Sequence, residues 1–328
     1  MLYLHGLGHF HPENVITNRF LEELDIGSSE EWILERVGIQ TRRTALPLDY
    51  IKTTKNQDLR AAMEVCLYTN AQTGARAARL ALERAGLQPD DIGMVISGSS
   101  APDHVTPAEA ATVAAEIGIE VPCFDLNSAC STFGMQMKFL SDMRPEALPP
   151  YVLVVNPEND TRVIDYSDRS AAALFGDGTS AAVVSASVPS KMVFEAFFCD
   201  SNPLSWDKVR VPRVGHFAQE GSAVQGFAIR KTTELLRELQ ELYPAGHDRF
   251  KFIGHQANFG MLKTVCERCG ISEEDHWHNV IDYGNAGCSG APCVLSQHWD
   301  DLRGGDHIAL ALVGAGLTWV RTMLNIVE

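Results

Sequence analysis

The sequence predicts an α/β protein made of two similar halves. Short apolar runs alternate with stretches of helical periodicity, the alternation restarts after Val193, and no Pro-, Gly- or Ser-rich linker divides the chain. Such alternation is the pattern of parallel strands joined by crossover helices. Without a flexible linker, residues 1–185 and 186–328 are expected to pack as one body.

In chain order, residues 94–97 form an apolar strand, 106–117 a helix and 121–126 a second strand. A helical pattern carrying Phe133, Met137 and Leu140 on one face follows, then strands at 151–155 and 181–184. Past Val193 come a strand to Phe198, a helix over 222–242, a strand ending at Gly254 and a helix to Cys269. Apolar runs at 280–283 and 307–313 complete the second half.

Composition bounds the function. With 328 residues, 45% of them hydrophobic, the chain can bury one large core or two similar ones. No stretch approaches the roughly 18 apolar residues that suggest a membrane span, and MLYLHGLGHF lacks the basic and long apolar regions of a secretory signal. A cytoplasmic protein is expected, and the eight scattered cysteines suit a reducing compartment. A net charge of −15 argues against nucleic acid, whose phosphates need a concentrated basic surface. Cys266 and Cys269 form a CxxC with no second pair at zinc-finger spacing, while Cys288 and Cys293 read as loop and core residues, so no metal is expected. The glycines of LFGDGTSAAVV lack dinucleotide-fingerprint spacing and read as turn glycines.

Three separated fragments carry the chemistry. Cys130 in DLNSACSTFG sits where a strand passes through small residues into a helix. Aligned peptide dipoles at a helix N-terminus favour an anion, so the thiol pKa is expected to fall. Taken alone, the cysteine could equally be a small buried hydrophobe. His255 in GHQAN closes an apolar run where a strand end opens into a loop, a common place to display reactive groups. Asn285 in YGNAGCSGAP lies among glycines that allow close backbone approach to a ligand. Together they offer a nucleophile, a base and an amide.

These fragments, with SSEEWILERVGIQTRR at 28–43, DRSAAALFGDGTSAAVV at 168–184 and VGAGLTW at 313–319, resemble the thiolase superfamily over nearly the whole chain. The similarity is closest to the β-ketoacyl-acyl-carrier-protein synthase III group of condensing enzymes. It implies a duplicated five-layer αβαβα fold with the active site between the halves. It also implies that Cys130 takes an acyl group from a coenzyme A thioester as substrate, with no separate cofactor. His255 and Asn285 would stabilise the enolate formed when a malonyl thioester, CoA-bound or on acyl carrier protein, loses carbon dioxide. Backbone N–H groups of Cys130 and Ala315 would form the oxyanion hole. Trp32 and Arg169 match the positions that clamp the adenine, and Arg36 the tunnel mouth. The resemblance implies a homodimer in which Thr106 reaches the neighbouring acyl pocket, lined also by Gln219 and Gln225.

Departures from the family pattern are informative. Gly226, Gly260 and Glu267 stand where basic docking residues are usual, with Lys231, Lys263 and Arg268 nearby, so attraction to an acidic carrier protein should be weaker. Polar Thr106, Gln219 and Gln225 suggest an oxygenated or wider acyl group. Residues 45–70 are longer than usual and are expected to cap the entrance or extend the dimer contact. A specialised condensing enzyme follows. Two alternatives remain: transfer of the acyl group to an oxygen, nitrogen or carbon nucleophile without decarboxylation, and a non-catalytic partner subunit.

Overall fold

The computed structural model describes residues 1–244 and 249–327. Its strands are β1 (Leu2–Phe10), β2 (Asn14–Thr17), β3 (Thr41–Thr44), β4 (Met94–Ser97), β5 (Cys123–Asp125), β6 (Val152–Glu158) and β7 (Gly178–Ser185). The second half holds β8 (Met192–Ser201), β9 (Val209–Arg210), β10 (Ala218–Gln219), β11 (Phe250–Gly254), β12 (His307–Gly314) and β13 (Thr318–Ile326). Nine of them join one sheet in the order β11-β12-β13-β8-β1-β7-β6-β4-β5.

That order contains a repeat. In the first half the strands run β5-β4-β6-β7-β1. In the second, a bridge between Phe252 and His276 takes the place of the edge strand beside β11, followed by β12, β13 and β8. The halves join where β1 and β8 pair antiparallel through Leu2 with Phe194, Tyr3 with Val193 and Leu4 with Met192. The sheet is mixed, which corrects the expectation of uniformly parallel strands. β4 runs parallel to β5 and β6, and β11 to β12, because crossover helices link them. β6 with β7 and β12 with β13 are antiparallel, because no crossover helix spans the connection.

Period-two burial builds the layers. Val152 and Val154 of β6 face a central core, as do Ile308, Leu310 and Leu312 of β12. Their alternate neighbours Leu153 and Val155, and Ala309, Ala311 and Val313, face outer cores. Two helices fill the centre, Thr132–Asp142 through Phe133, Met137 and Leu140, and Gly290–Gln297 through Ala291, Val294 and Leu295. The helices Asn70–Ala85 and Glu109–Ile117 cover one outer face, Gly221–Leu242 and Phe259–Cys269 the other. Helix, half-sheet, helix, half-sheet, helix is the five-layer thiolase-like arrangement.

Two sequence readings change. Residues 280–283 form a helical turn, Val280–Tyr283, rather than a strand. An apolar run of four residues fits either state, and Gln256 Oε1 decides it by accepting the backbone N–H of Asn279 at 3.1 Å and of Val280 at 3.3 Å. Residues 106–108 are loop, with a cis Thr106–Pro107 bond, and the helix begins at Glu109. No helix of the described residues is long and apolar enough to cross a membrane.

Packing of β1 on the helix Asn70–Ala85 leaves no room at Gly8, where a Cβ would lie 2.1 Å from the Ala77 carbonyl oxygen and 2.7 Å from Ala81 N. Gly8→Ala is expected to cost about 3 kcal/mol of stability, read by denaturant unfolding. Gly226→Ala, with nothing within 4 Å of its Cβ, should instead gain about 0.5–1 kcal/mol in its helix.

Candidate active site

Cys130 occupies a tight turn after β5 and two residues before the helix Thr132–Asp142. Ala129 adopts the left-handed region, φ 48°, which an L-residue takes only when its surroundings hold it. Asn127 supplies that hold, donating Nδ2–H to the Ser99 carbonyl at 2.7 Å and accepting the Ala129 N–H at 2.8 Å. Thr132 closes the turn by donating its hydroxyl to the Ala129 carbonyl at 2.6 Å and accepting the Ser128 N–H at 2.7 Å. The small residues read from the sequence are therefore the bracing of this turn.

The facing ends of β12 and β13 meet this turn directly. A Cβ on Gly314 would come within 2.8 Å of Ser131 N and 3.0 Å of Cys130 N, so only glycine admits this approach. The hydroxyls of Ser131 and Thr318 lie 2.6 Å apart across the contact. Ala315 is thereby brought beside Cys130, and both line the same two cavities.

His255 follows β11, its N–H bound to the Ala311 carbonyl at 3.2 Å. Gln256, fully buried, ties this loop to Gly254 and to the turn Val280–Tyr283. Gly284, φ 70°, then reverses the chain against Arg42 and the Leu174 carbonyl, and Asn285 N–H binds that carbonyl at 2.9 Å. Asn285 Oδ1 accepts the Gly287 N–H at 3.1 Å, so its Nδ2 end is the one left for a ligand.

Two cavities share Cys130, Phe175, Val209, Phe217 and Ala315. One, of about 430 Å³, runs from Trp32 and Arg36 past Asn258 to His255 and Asn285. The other, of about 510 Å³, lies beyond Cys130 and is walled by Val163, Ile164 and Val211, with Ser100 and Asp160. The β9–β10 hairpin contributes Val209 to both. The first is an entrance corridor and the second a chamber.

The sequence-predicted residues fall on this plan unevenly. Cys130, His255, Asn285 and Ala315 converge, and Trp32 and Arg36 stand along the corridor. Arg169 lies over the Trp32 ring at 4.7 Å and donates to the Gly27 carbonyl, so the two partners stack on each other. Gln219, at the end of β10, and Gln225, in the second turn of the helix Gly221–Leu242, line the corridor rather than the chamber. Thr106 lines neither cavity; it is exposed in the loop before the helix Glu109–Ile117. Residues 45–70 do not cap the corridor. Buried Asn56 donates to the carbonyls of Arg162 and Ile164 at 2.9 and 2.8 Å, so this segment packs behind the chamber wall. Asp177 of LFGDGTS is an anchor: it accepts the N–H groups of Ala45 and Thr161 at 2.7 and 2.8 Å, while burial pushes its carboxyl up to about 6. Lys231 is held by Glu234 at 2.6 Å and by the Trp319 ring at 4.8 Å, which limits what it adds to a docking surface.

Electrostatics overturn one expectation. Burial, and after it the carboxyls of Glu158 and Asp160, push the Cys130 thiol above its ordinary value, despite the helix that starts beside it. Sequence reasoning missed both carboxyls; NPEND, just past the strand read at 151–155, was the available signal. Burial also lowers His255 to about 4, so the imidazole is neutral at physiological pH. Among the described residues no group of three or more His, Cys, Asp or Glu is placed to hold a metal ion.

A cysteine, a neutral imidazole and a primary amide at the meeting of a corridor and a chamber, within a thiolase-like fold, define a condensing enzyme that transfers acyl groups. The chain belongs to the β-ketoacyl-[acyl-carrier-protein] synthase III family: it is 32% identical over 333 residues to the Gloeobacter violaceus synthase, covering 96% of this chain and 95% of that one. The family models for 3-oxoacyl-[acyl-carrier-protein] synthase III and for its C-terminal part match residues 124–203 and 247–326. The crystal structure of the Aquifex aeolicus synthase III superposes with a TM-score of 0.86 at 27% identity, covering 99% of this chain and all of that one. The priming β-ketosynthase of the R1128 polyketide pathway does so at 0.81, also 27% identical, covering 99% of this chain and 96% of that one.

Because the folded His255 pKa lies below the ordinary 6.5, the unfolded chain binds this proton first. Its contribution to stability is therefore present above pH 6.5 and is lost as pH falls toward about 4. Imidazole ¹⁵N spectra should show His255 neutral at pH 6 and titrating near 4; a midpoint at or above 6.5 would contradict a buried neutral ring.

Proposed function

We propose that Cys130 accepts an acyl group from a CoA thioester and that the acyl group is then condensed with a malonyl thioester. One observation carries this reading: Cys130 and Ala315 line both corridor and chamber, and His255 and Asn285 line the corridor that leads to them. The corridor suits a pantetheine arm and the chamber an acyl chain. Cys130 attacks the thioester carbonyl as its thiol proton passes to the departing coenzyme A sulfur; the tetrahedral oxyanion is received by the N–H groups of Cys130 and Ala315, the C–S bond to coenzyme A breaks, and coenzyme A leaves as its thiol. A malonyl thioester then enters the same corridor. His255 and Asn285 hydrogen-bond its carbonyl oxygen while the bond to the carboxylate breaks and carbon dioxide departs. The enolate carbon attacks acyl-Cys130, Cys130 leaves as thiolate, and a β-ketoacyl thioester results.

A neutral His255 suits this role, since an uncharged imidazole donates one hydrogen bond and gives up no proton that would quench the carbanion. The raised Cys130 thiol makes the helix end a necessary partner of the first step, because it must favour negative charge on a sulfur whose surroundings disfavour it, while the two backbone donors receive the oxyanion.

A specialised role is supported by the entrance surface. Gly226 and Gly260 present no side chain, Glu267 is exposed beside Arg268, and Lys231 is already paired. Weak charge attraction suits a particular carrier or a CoA-bound extender better than a generic acidic carrier. A homodimer, with Thr106 of one copy near the other's chamber, accords with the exposure of Thr106 and Val105.

Intact-protein mass spectrometry after incubation with acyl-CoA should show an acyl adduct that Cys130→Ala abolishes. His255→Ala and Asn285→Ala should keep the adduct yet slow its discharge by a malonyl thioester at least about a hundredfold, in line with loss of an oxyanion donor. An adduct discharged only by some other nucleophile would replace condensation with simple acyl transfer. Absence of any adduct would leave the non-catalytic subunit.

A further inference from the structure

Condensation needs the Asn285 amide to point the right way as much as it needs the amide to be there. The Asn285 backbone is pinned twice, its N–H to the Leu174 carbonyl at 2.9 Å and its carbonyl to the Gly176 N–H at 3.1 Å. Its side chain has one partner among the described residues: Oδ1 accepts the Gly287 N–H at 3.1 Å. Gly287 opens the turn Gly287–Ser289, so whatever holds that turn decides where Asn285 Nδ2 points.

The two ends of the turn are held differently. Ser289, at the far end, accepts the Ser180 N–H at 3.1 Å and donates its hydroxyl to the Asn156 carbonyl. The near end rests on Glu158, the last residue of β6 and fully buried. Glu158 Oε1 accepts the Cys288 N–H at 3.2 Å and the Cys288 thiol at 3.0 Å. Gly287, φ 52°, passes so close that a Cβ there would lie 2.7 Å from Oε1. The other oxygen is anchored just past β4, where Oε2 accepts the Ser100 N–H at 2.9 Å and the Ser99 hydroxyl at 3.2 Å. The carboxylate thus ties the Asn285 turn to strand ends in the opposite half of the chain.

Only a carboxylate can make this tie. Both oxygens accept, and an amide of the same shape would turn its NH₂ toward one of the two donor pairs. Asp160 beside it is raised well above the carboxylate range, by burial and then by the charge of Glu158, so Asp160 keeps its proton and Glu158 carries the charge. That charge does not serve the nucleophile, since after burial it is the next influence raising the Cys130 thiol. Its contribution lies on the Asn285 side of the site.

Resting on the condensing reading, we propose that Glu158 is a positioning residue for the decarboxylative step, holding the turn Gly287–Ser289 so that the Asn285 amide presents Nδ2 to the malonyl carbonyl.

Glu158→Met, similar in size but without an acceptor at either end, separates the two steps. Loading of Cys130 by the faster of acetyl-CoA and hexanoyl-CoA, followed by intact-protein mass spectrometry, should stay close to the wild-type rate. Thr132 and Ser131 brace the Cys130 turn independently, and loss of a nearby negative charge favours the thiolate. Discharge of the acyl enzyme by malonyl-CoA should slow at least about tenfold, because a displaced amide loses much of its hold on the developing oxyanion. In an Asn285→Ala background the same substitution should add nothing, as expected of two residues that act through one group. Cys288→Ala, which removes one donor to Glu158 and leaves the charge, should slow discharge by a smaller factor with loading unchanged; it decides the matter if Glu158→Met fails to fold. Discharge at the wild-type rate, loading slowed as much as discharge, or an undiminished effect on top of Asn285→Ala would overturn the proposal while leaving condensation standing. A wild type that neither donor loads, or that malonyl-CoA does not discharge, would instead remove the condensing reading beneath it.

Discussion

The site depends on the approach of Gly314 to the turn carrying Cys130. Each half of the chain supplies one side of that contact: one is a turn with Ala129 in the left-handed region, the other the last residue of β12. A methyl group at Gly314 would collide with Cys130 N. Everything else in the fold can be seen as fixing the two sides at this separation. The β1–β8 pairing sets the halves side by side, and the helices Thr132–Asp142 and Gly290–Gln297 fill the core behind the turn. The hydroxyl pair of Ser131 and Thr318 then pins the two sides together.

The same closeness has an electrostatic cost. Three carboxyls, Glu158, Asp160 and Asp177, are buried near the cavity, with Arg162 as their nearby cation. Asp177 is well supplied with donors and serves as a joint between residues 45, 161 and the loop after the helical turn Arg169–Ala172. Glu158 has four donors and holds Ser100 and Cys288 in place. Asp160 has Glu158 as its neighbour, and burial with that second carboxyl raises it well above the carboxylate range. Hydrogen-bond supply, rather than burial, thus separates the three acids, since all three are buried and they differ in the donors each receives.

Much of this was legible in the sequence. The strand at Met94–Ser97, the helices at Thr132–Asp142 and Phe259–Cys269, and the repeated order of elements followed from periodicity, because each buries one face against a sheet. Cys130, His255 and Asn285 were found because all three lie just after apolar runs, where chain direction changes. Strand direction was not legible: whether β6 and β7 run parallel depends on a connection whose path the pattern does not encode. The placement of Gln219 and Gln225 was missed for a similar reason, since it depends on where β10 and the helix Gly221–Leu242 lie relative to Cys130. The thiol shift was beyond local reading altogether. It arises first from burial and then from carboxyls some thirty positions away in sequence, both of which depend on the folded sheet.

The shared junction at Cys130 also imposes an order of events. Corridor and chamber meet at that residue, and under the proposed reading both thioesters must use the corridor. It works as a single-lane passage: the first carrier must withdraw before the second can arrive, while the acyl group waits beyond the junction. A malonyl thioester that arrives early would block the lane without anything to react with. The relative concentrations of the two donors therefore govern flux through the enzyme as directly as the chemistry at the sulfur does.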